Sequence, residues 1–269
     1  MGLALAHSLS WSSMKRVIWK RTVATSLGRS HAEHLTPCQD SVATTYRRNV
    51  SVIALADGAG SSRHSEVGSM ICARTLCSIM CRHFDEIIHM DTSEARLRIL
   101  QTIRDQLKAE ATLRNLDLGD LSTTALAVAV KKNHYIAFHL GDGVIGAEVL
   151  LPSGLRSLRT ISPPENGEYS NETHFVTSSS AHDHARLHVG LIKHGSQERI
   201  SGFVLMSDGP EAALYRKETE ELAPACSKLL ASARSLNKRE LNVRLKETLK
   251  LLSVTKTHDD CSIALMAHA

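Results

Sequence analysis

The order of the predicted secondary-structure elements indicates an α+β fold, a four-layer αββα sandwich of two antiparallel sheets flanked by helix pairs. Two segments with helical periodicity precede a block of apolar, strand-like runs, and two more helical segments precede a final strand. This order lacks the strict alternation of strand and helix that is typical of a parallel, doubly wound sheet. It suits two antiparallel sheets with a pair of helices on each outer face.

The first half of the chain supplies a strand and the first helix pair. Residues 50–57 are an apolar run that ends in an acid, which predicts a buried strand, and residues 66–84 place apolar side chains at near-helical spacing. Asp91 begins a sequence that resembles a capping box, and the apolar residues after it lie on one helical face. Those residues are Leu97, Leu100, Ile103 and Leu107.

The second half supplies a hairpin, the second helix pair and a last strand. Apolar runs at 125–130 and 134–139, separated by three polar residues, predict the hairpin. Residues 218–235 and 238–252 return to helical periodicity, and residues 262–266 predict the strand. Because large layered folds reach this size as one unit, we expect a single domain over residues 21–269, preceded by a variable lead-in over residues 1–20.

Composition and charge exclude several classes of function. The formal charge of +4 comes from 32 basic and 28 acidic residues that are mixed along the chain. The chain therefore has no long run of basic residues that would indicate a nucleic-acid partner. The mild positive excess suits an anionic, phosphorylated substrate. No run approaches the roughly 20 apolar residues that span a bilayer, and the short apolar opening before Lys15 has the reverse charge order of a secretory signal.

The cysteines agree with a location in the cytoplasm. All six lie singly or on the predicted helix at 66–84, without the paired short spacings of a zinc site. We interpret them as reduced and mostly buried, as is typical of intracellular proteins. We therefore expect a soluble cytoplasmic protein with no membrane segment.

Three apolar runs end in an aspartate that is followed by glycine, at Asp57-Gly58, Asp142-Gly143 and Asp208-Gly209. One such turn is an ordinary structural feature, but here Asp40 and the pair Asp259-Asp260 extend the series. Glycine lets the backbone turn sharply and brings its carbonyl close to whatever the carboxylate holds. Since Mg²⁺ and Mn²⁺ prefer oxygen ligands, and strand ends can meet at one sheet edge, the pattern predicts a carboxylate-walled site for hard cations.

These acids belong to an ordered series of short motifs. The series consists of PCQDS at 37–41, ADGAGS at 56–61, STTA at 122–125, GDG at 141–143, SDG at 207–209 and HDDCS at 258–262. In order and spacing it resembles the metal-dependent protein phosphatases of the PP2C type, in particular their compact bacterial branch, over roughly residues 21 to 269. Residues 164–173 also resemble the stretch that precedes the mobile flap in that branch.

The resemblance implies an activity and a mechanism. Such enzymes use Mn²⁺ or Mg²⁺ to hydrolyse phosphoserine and phosphothreonine in proteins, by direct attack of a metal-bridging water or hydroxide. By resemblance, Asp57 would be the catalytic residue that bridges two metal ions, and the Gly58 carbonyl would reach one of them through water. Asp208 and Asp259 would complete the first metal site. The implied partners are a phosphorylated protein substrate and a cognate serine/threonine kinase.

The same resemblance implies a second site and a third, weaker one. Asp40 would support the second metal ion, directly or through water, and Asp142 would share the third position with Asp208. Gln39 stands where many relatives carry a glutamate. A neutral ligand at this position would weaken the second site or leave it more hydrated.

The residues that bind phosphate and protonate the leaving group are left open by the sequence. Eukaryotic members carry a histidine after the first Asp-Gly, whereas this chain has Ala59, so the acid would be water or another group such as His64. The arginine with which relatives grip phosphate is also missing from the aligned neighbourhood. His31, His34 and Arg63 are the alternatives for that role.

Two polar clusters have a second interpretation. His182, Asp183 and His184 together with His188 have spacings that can bind zinc, but a solvated flap whose histidines contact substrate is the simpler reading. Thr123 and Thr124 are expected to serve the local hydrogen-bond network rather than catalysis.

Two further functions stay open at this stage. The substitutions Gln39 and Ala59 suit a non-catalytic member that binds a phosphorylated partner or regulates a kinase. Against it, several mutually repelling carboxylates have no physical reason to persist at one site without a cation. The other alternative keeps the metal ions but acts on a small phosphorylated metabolite.

Overall fold

The strands of this computed structural model, which describes residues 19–165, 173–194 and 197–268, form two main antiparallel sheets. Thirteen strands lie within those residues: β1 (Trp19–Ser26), β2 (Ser41–Arg47), β3 (Val50–Ala56), β4 (Ala125–Lys131), β5 (His134–Leu140), β6 (Val144–Leu150), β7 (Arg156–Ser162), β8 (Arg186–Leu191), β9 (Lys193–His194), β10 (Glu198–Met206), β11 (Tyr215–Arg216), β12 (Glu221–Leu222) and β13 (Cys261–His268). The first sheet has the order β1-β13-β10-β6-β7, with β9 beside β10, and the second has the order β2-β3-β4-β5-β8. β11 and β12 form a separate ribbon.

The described residues form seven helices, two pairs of which cover the outer faces of these sheets. They are α1 (Arg29–Glu33), α2 (Ser65–Ile87), α3 (Thr92–Arg114), α4 (Ala181–His184), α5 (Asp208–Leu214), α6 (Ala225–Ser235) and α7 (Lys238–Thr255), with a 3-10 turn at Leu118–Leu121. Helices α2 and α3 share a core with the second sheet, and α6 and α7 share one with the first sheet. The predicted αββα sandwich is therefore confirmed.

Strand β3 shows why its residues form a continuous apolar run. Successive side chains of a strand point to opposite faces. Val52 and Ala54 face the helix layer, whereas Ile53 and Leu55 join the cluster between the two sheets, where Phe203 of β10 also packs. All seven residues of β3 are buried, since both of its faces are covered.

The structure confirms a predicted helix cap and the predicted hairpin, and it corrects one predicted helix start. The Asp91 carboxylate accepts hydrogen bonds from the backbone N–H groups of Ser93 (2.9 Å) and Glu94 (3.1 Å), which confirms the predicted cap of α3. The predicted hairpin is formed by β4 and β5. The predicted start of a helix at residue 218 is wrong: α6 begins at Ala225, directly after Pro224, because proline is tolerated at a helix start but not in its interior.

The remaining expectations about the chain are met only in part by the described residues. β1 begins at Trp19, within the segment expected as a lead-in, and residues 1–18 lie outside the described residues. All six cysteines are free, and five of them are buried. None of the helices in the described residues combines the length and apolar character needed to cross a membrane.

Candidate metal centre

Four of the predicted aspartates lie at one end of the sandwich because of strand register. Ser41 of β2 pairs with Ala56 of β3, so Asp40 just before one strand and Asp57 just after the other are neighbours. In the first sheet, Met206 of β10 pairs with Ile263 of β13, and the backbone N–H of Ser207 donates to the Ser262 carbonyl (3.1 Å). Asp208 and Asp259, which flank these positions, thus meet at the corresponding end of that sheet.

Asp142 joins from the turn after β5. Gly141 has a φ of +111°, a conformation that favours glycine, and it lets the chain turn between β5 and β6. The Thr173 hydroxyl donates to Asp142 Oδ2 at 2.7 Å. Asp142 is close enough to Asp57 and Asp208 for its charge to raise the pKa of both carboxyls.

The backbone of Asp57 is held by the two threonines of the STTA motif. Its N–H donates to Thr124 Oγ1 (2.9 Å), and its carbonyl accepts from the Thr124 N–H (2.8 Å) and the Thr123 hydroxyl (2.9 Å). The expected structural role of Thr123 and Thr124 is confirmed. With its main chain fixed by three hydrogen bonds, the Asp57 carboxylate has a defined position at the end of β3.

Electrostatics at this end of the molecule are unfavourable without a counter-charge. Burial, and then the negative charges of Asp40, Asp208, Asp142 and Asp259, raise the pKa of Asp57 well above its ordinary value. Burial, and then the charges of Asp142, Asp259 and Asp40, raise the pKa of Asp208 to about 7. Five carboxylates therefore act on one another over short distances.

Ser207 orients Asp40, and the sequence analysis did not identify it. Its hydroxyl donates to Asp40 Oδ2 at 2.9 Å and accepts from the Ser262 N–H at 3.1 Å. Burial raises the pKa of Asp40 to about 7, although the hydrogen bond from the Ser207 hydroxyl opposes this increase. The position of Ser207 directly before the Asp208-Gly209 turn was the available signal.

The neighbouring acids Asp259 and Asp260 have different surroundings. Asp260 is 3% exposed, and its two carboxylate oxygens accept from the backbone N–H groups of Gly28 (2.7 Å) and Gln39 (2.6 Å). Asp259 is exposed. Asp260 thus ties the segment before α1 and the segment before β2 to the start of β13, whereas Asp259 is free to face a ligand.

His31 is the predicted substrate-binding residue that the structure places beside this cluster. Its Nδ1 lies 3.0 Å from Asp260 Oδ2. Ligand atoms of His31, Asp259 and Asp260 lie within 4.8 Å of one another, which makes them a candidate metal-binding group among the described residues. Because both oxygens of Asp260 already accept backbone hydrogen bonds, Asp259 is the better ligand of the two acids.

The residues at this end fit hard cations. Asp40 Oδ1 and Asp208 Oδ1 are buried and have no hydrogen-bond partner among the described residues. An oxygen that is buried and unpaired costs free energy unless a cation or water binds it. Gly58, directly after Asp57, has no room for a side chain, since a Cβ there would lie 2.7 Å from Ser65 Cβ and 2.8 Å from the Gln39 carbonyl oxygen. These donors are the oxygen set that Mg²⁺ and Mn²⁺ prefer.

The other three predicted substrate residues are not in contact with the aspartates. His34 is exposed, with its Nδ1 2.8 Å from the Ser30 carbonyl oxygen. Arg63 is exposed and forms no ion pair with a described residue, and His64 Nδ1 lies 3.7 Å from Glu66 Oε1. Their proposed contacts with substrate stay predictions.

The zinc alternative has no support in the described residues. His184 Nδ1 lies 2.8 Å from Glu165 Oε1, and the His184 ring stacks on His174 with centroids 3.4 Å apart. His182 Nδ1 lies 3.0 Å from the Ser179 carbonyl oxygen, and His188 is part of β8. These histidines form no candidate metal group among the described residues. Of the stretch expected before the flap, residues 166–172 lie outside the description.

Comparison with known proteins shows the family to which the sequence is matched and a curated relative. A family model described as "Protein phosphatase 2C" matches residues 27–250. "Serine/threonine-protein phosphatase 3" of Escherichia coli (strain K12) is 29% identical over 170 residues, which cover 61% of this chain. The chain spans 64% of the length of that curated relative.

Solved structures resemble the fold at low sequence identity. The S. agalactiae serine/threonine phosphatase has a TM-score of 0.61 and 18% identity, and the match covers 93% of this chain and 99% of that one. The catalytic domain of the serine/threonine protein phosphatase PstP, solved in complex with 2 manganese ions, has a TM-score of 0.60 and 17% identity, with 94% of this chain and 99% of that one covered.

Proposed function

This chain belongs to the protein phosphatase 2C family, and from that premise we propose that it is a metal-dependent phosphatase acting on phosphoserine and phosphothreonine in proteins. The observation that carries the proposal is the convergence of Asp40, Asp57 and Asp208, whose raised pKa values reflect carboxylates crowded together and buried. Such a cluster is stable in its ionised form only with cations. The two manganese ions of PstP, a protein of similar fold, support the same assignment.

The residues of the site have two proposed roles: some are metal ligands, and others hold those ligands in place. We assign two Mn²⁺ or Mg²⁺ ions, with a third position, to these ligands: Asp40, Asp57, the Gly58 carbonyl, Asp142, Asp208 and Asp259. When bound, such cations activate a water molecule for attack on phosphorus and neutralise the phosphate oxygens. The chain's own contribution is to hold the ligands in place: Ser207 orients Asp40, and Thr123 and Thr124 fix the main chain of Asp57.

On the substrate side, we assign phosphate binding to His31. The side chain of His31 is 17% exposed and lies against Asp260, so the imidazole is oriented while part of it still faces solvent. An imidazole N–H of His31 can donate to a phosphate oxygen. The phosphorylated protein would be supplied by a cognate serine/threonine kinase.

The test is hydrolysis of p-nitrophenyl phosphate with Mn²⁺ and again with EDTA, by the wild type, Asp57→Asn and Asp105→Asn. Asp57→Asn should lower kcat at least about 100-fold, since ligand changes at metal sites commonly cost that much. Asp105 is an exposed acid of α3, so Asp105→Asn is the matched control and should retain full activity.

Three results would count against the proposal. Activity that survives EDTA would exclude a metal-dependent reaction. Inactivity in every condition, together with tight binding of a phosphoserine peptide, would favour the phospho-binding module instead. Faster hydrolysis of sugar phosphates than of phosphopeptides would favour a metabolite phosphatase.

A further inference from the structure

A second concave site lies along the outer side of α2, and we name it the basic groove. One part has a volume of about 800 Å³ and is lined by Arg47 at the end of β2, by Arg48 in the turn that follows, and by Arg74 and Arg82 of α2. The other part, of about 380 Å³, lies between α2 and α3 and shares Arg74, Ser78 and Arg82 with the first. The two parts therefore adjoin along the row Arg74, Ser78 and Arg82 of α2.

The positive charge of the basic groove is not neutralised by its surroundings. Arg47, Arg48, Arg74 and Arg82 are exposed, and none of them forms an ion pair with a residue that the structure describes. No aspartate or glutamate lines either part. Four guanidinium groups that share a groove without carboxylates repel one another, and an anionic ligand would remove that repulsion.

Two carboxylates near the C-terminal end of α2 are already in ion pairs. Asp85 pairs with Lys131, and Glu86 pairs with Arg98 at 3.0 Å and with His83 at 3.2 Å. Arg98 therefore contributes little free charge to the second part of the groove. The attraction for an anion comes from the four other arginines, which stand on two separate elements and converge only in the folded chain.

Apolar side chains lie beneath this charge. Ile79, Ile87 and Ile99 line the part between α2 and α3, and Cys77 and Cys81 line the part below the β2–β3 turn. These five side chains are at most 7% exposed, so a ligand in the groove needs anionic groups for the rim and finds room for no more than one apolar side chain on the floor. An acidic polypeptide segment has both, whereas a nucleic-acid backbone or a membrane surface is recognised by a broad basic face.

The basic groove is distant from the aspartates. Six residue steps separate Ser41 beside the metal centre from Arg47, which amounts to about 20 Å along a strand. Along α2, nine steps from Ser65 to Arg74 amount to about 14 Å, and seventeen steps to Arg82 amount to about 25 Å. A ligand in the groove would therefore not compete with one at the metal centre.

We propose that the basic groove docks an acidic segment of a partner protein. Guanidinium groups of Arg47, Arg48, Arg74 and Arg82 bind its carboxylates or phosphates through paired hydrogen bonds, and an apolar side chain of the segment covers the floor. The proposal does not depend on catalysis at the metal centre.

The test is fluorescence anisotropy with a fluorescein-labelled octapeptide that is rich in glutamate and carries one leucine. Arg74→Gln/Arg82→Gln should bind this peptide at least about tenfold more weakly than the wild type, because hydrogen bonds between charged groups are lost. The matched control is Arg239→Gln/Arg244→Gln, which removes two exposed arginines of α7 and the same net charge. It should weaken binding less than about threefold.

A peptide with glutamine in place of glutamate should not bind. The proposal is overturned if the wild type does not bind the acidic peptide, or if both double variants lose affinity equally. It is also overturned if a single-stranded oligonucleotide or phosphatidylserine vesicles bind more tightly and displace the peptide. Hydrolysis of p-nitrophenyl phosphate by Arg74→Gln/Arg82→Gln should equal that of the wild type, so a failure at the groove is distinguishable from a failure of the proposed phosphatase activity.

Discussion

At the scale of single residues, the adjacent acids Asp259 and Asp260 show how one motif holds two roles. Asp260 is buried and its two oxygens accept from the Gly28 and Gln39 N–H groups. Asp259 is exposed and accepts a hydrogen bond from the Asp260 N–H at 2.8 Å. Asp260 is therefore an anchor for two loops, whereas Asp259 faces the space in which we propose the metal ions to bind.

Substitutions at these two positions should therefore separate stability from activity. Asp260→Ala leaves two backbone N–H groups without their acceptor, and we expect it to lower the free energy of unfolding by about 2–4 kcal/mol. Asp260→Asn keeps one acceptor oxygen, so its loss should be smaller. Urea denaturation in EDTA measures both.

Asp259→Asn is the matched control. It should leave the urea midpoint close to that of the wild type while lowering Mn²⁺-dependent hydrolysis of p-nitrophenyl phosphate. Equal stability of Asp260→Ala and Asp259→Asn would contradict the anchoring role of Asp260.

At the scale of elements, α2 connects the proposed metal centre to the basic groove. It begins at Ser65, whose side chain lies against Gly58, and it departs from helical geometry at His83, which lines the groove. Near its start, Gly68 packs against the 3-10 turn Leu118–Leu121, and a Cβ at Gly68 would lie 2.2 Å from the Leu121 carbonyl oxygen. That turn leads directly into the threonines that hold Asp57.

Gly68→Ala should destabilise the protein although alanine is the better helix former. The gain in helix propensity is about 1 kcal/mol, whereas forcing α2 away from a backbone oxygen should cost about 3 kcal/mol, the upper end of the usual range for overpacking. The shift should also reach Thr123 and Thr124 and lower Mn²⁺-dependent activity. Thermal unfolding and the p-nitrophenyl phosphate assay measure the two effects.

Gly119→Ala, in the same 3-10 turn, provides the control for Gly68→Ala. A Cβ at Gly119 would meet no described atom within 4 Å. Its stability should stay within about 0.5 kcal/mol of the wild type. If both alanine variants unfold at the same temperature as the wild type, the close contact between α2 and the turn does not affect the stability of the protein.

At the scale of the whole molecule, the two sheets bring like charges together, and this makes stability depend on pH and on cations. Asp40 and Asp208 each have a pKa raised to about 7, against an ordinary value of 3.8. The folded metal-free protein therefore binds more protons than the unfolded chain between these values. Its free energy of unfolding must fall as the pH rises from about 4 to about 7.

We expect the metal-free protein to be less stable at pH 8 than at pH 6.5, by on the order of 1 kcal/mol. Mn²⁺ should restore the loss at pH 8, because a divalent cation stabilises the ionised carboxylates. The contribution of His139 to the free energy of unfolding changes with pH in the opposite direction. Because burial lowers the pKa of His139 well below 6.5, this contribution changes mainly in more acidic solution. Urea denaturation at both pH values, with EDTA and with Mn²⁺, measures these effects.

The variant Asp57→Asn separates the contribution of the aspartates to the pH dependence of stability from that of other titrating groups. With one repelling charge removed, its metal-free form should be more stable than the wild type at pH 8 and lose less stability between pH 6.5 and pH 8. A wild type whose metal-free stability does not change with pH, or is not raised by Mn²⁺, would contradict the electrostatic description of the site.

The family and the layered fold were both predictable from the chain, and both predictions are confirmed. The continuous apolar run of β3 and the acid at Asp91 are local signals, and each acts through residues a few positions away. The helix start near residue 218 was wrong because periodicity continued through a segment that instead forms β12. The roles of His34, Arg63 and His64 stay predictions.

The sequence by itself determined which acids are available and in what order, since motifs and periodicity are local properties of the chain. Only the tertiary structure decided that Asp260 is an anchor, that Ser207 orients Asp40, and that arginines from β2, from the turn after it and from α2 share one groove. These contacts join residues far apart in the chain, such as Gly28 and Asp260. They depend on strand register and burial, which set the distances and the local dielectric, and no short pattern of residues records either quantity.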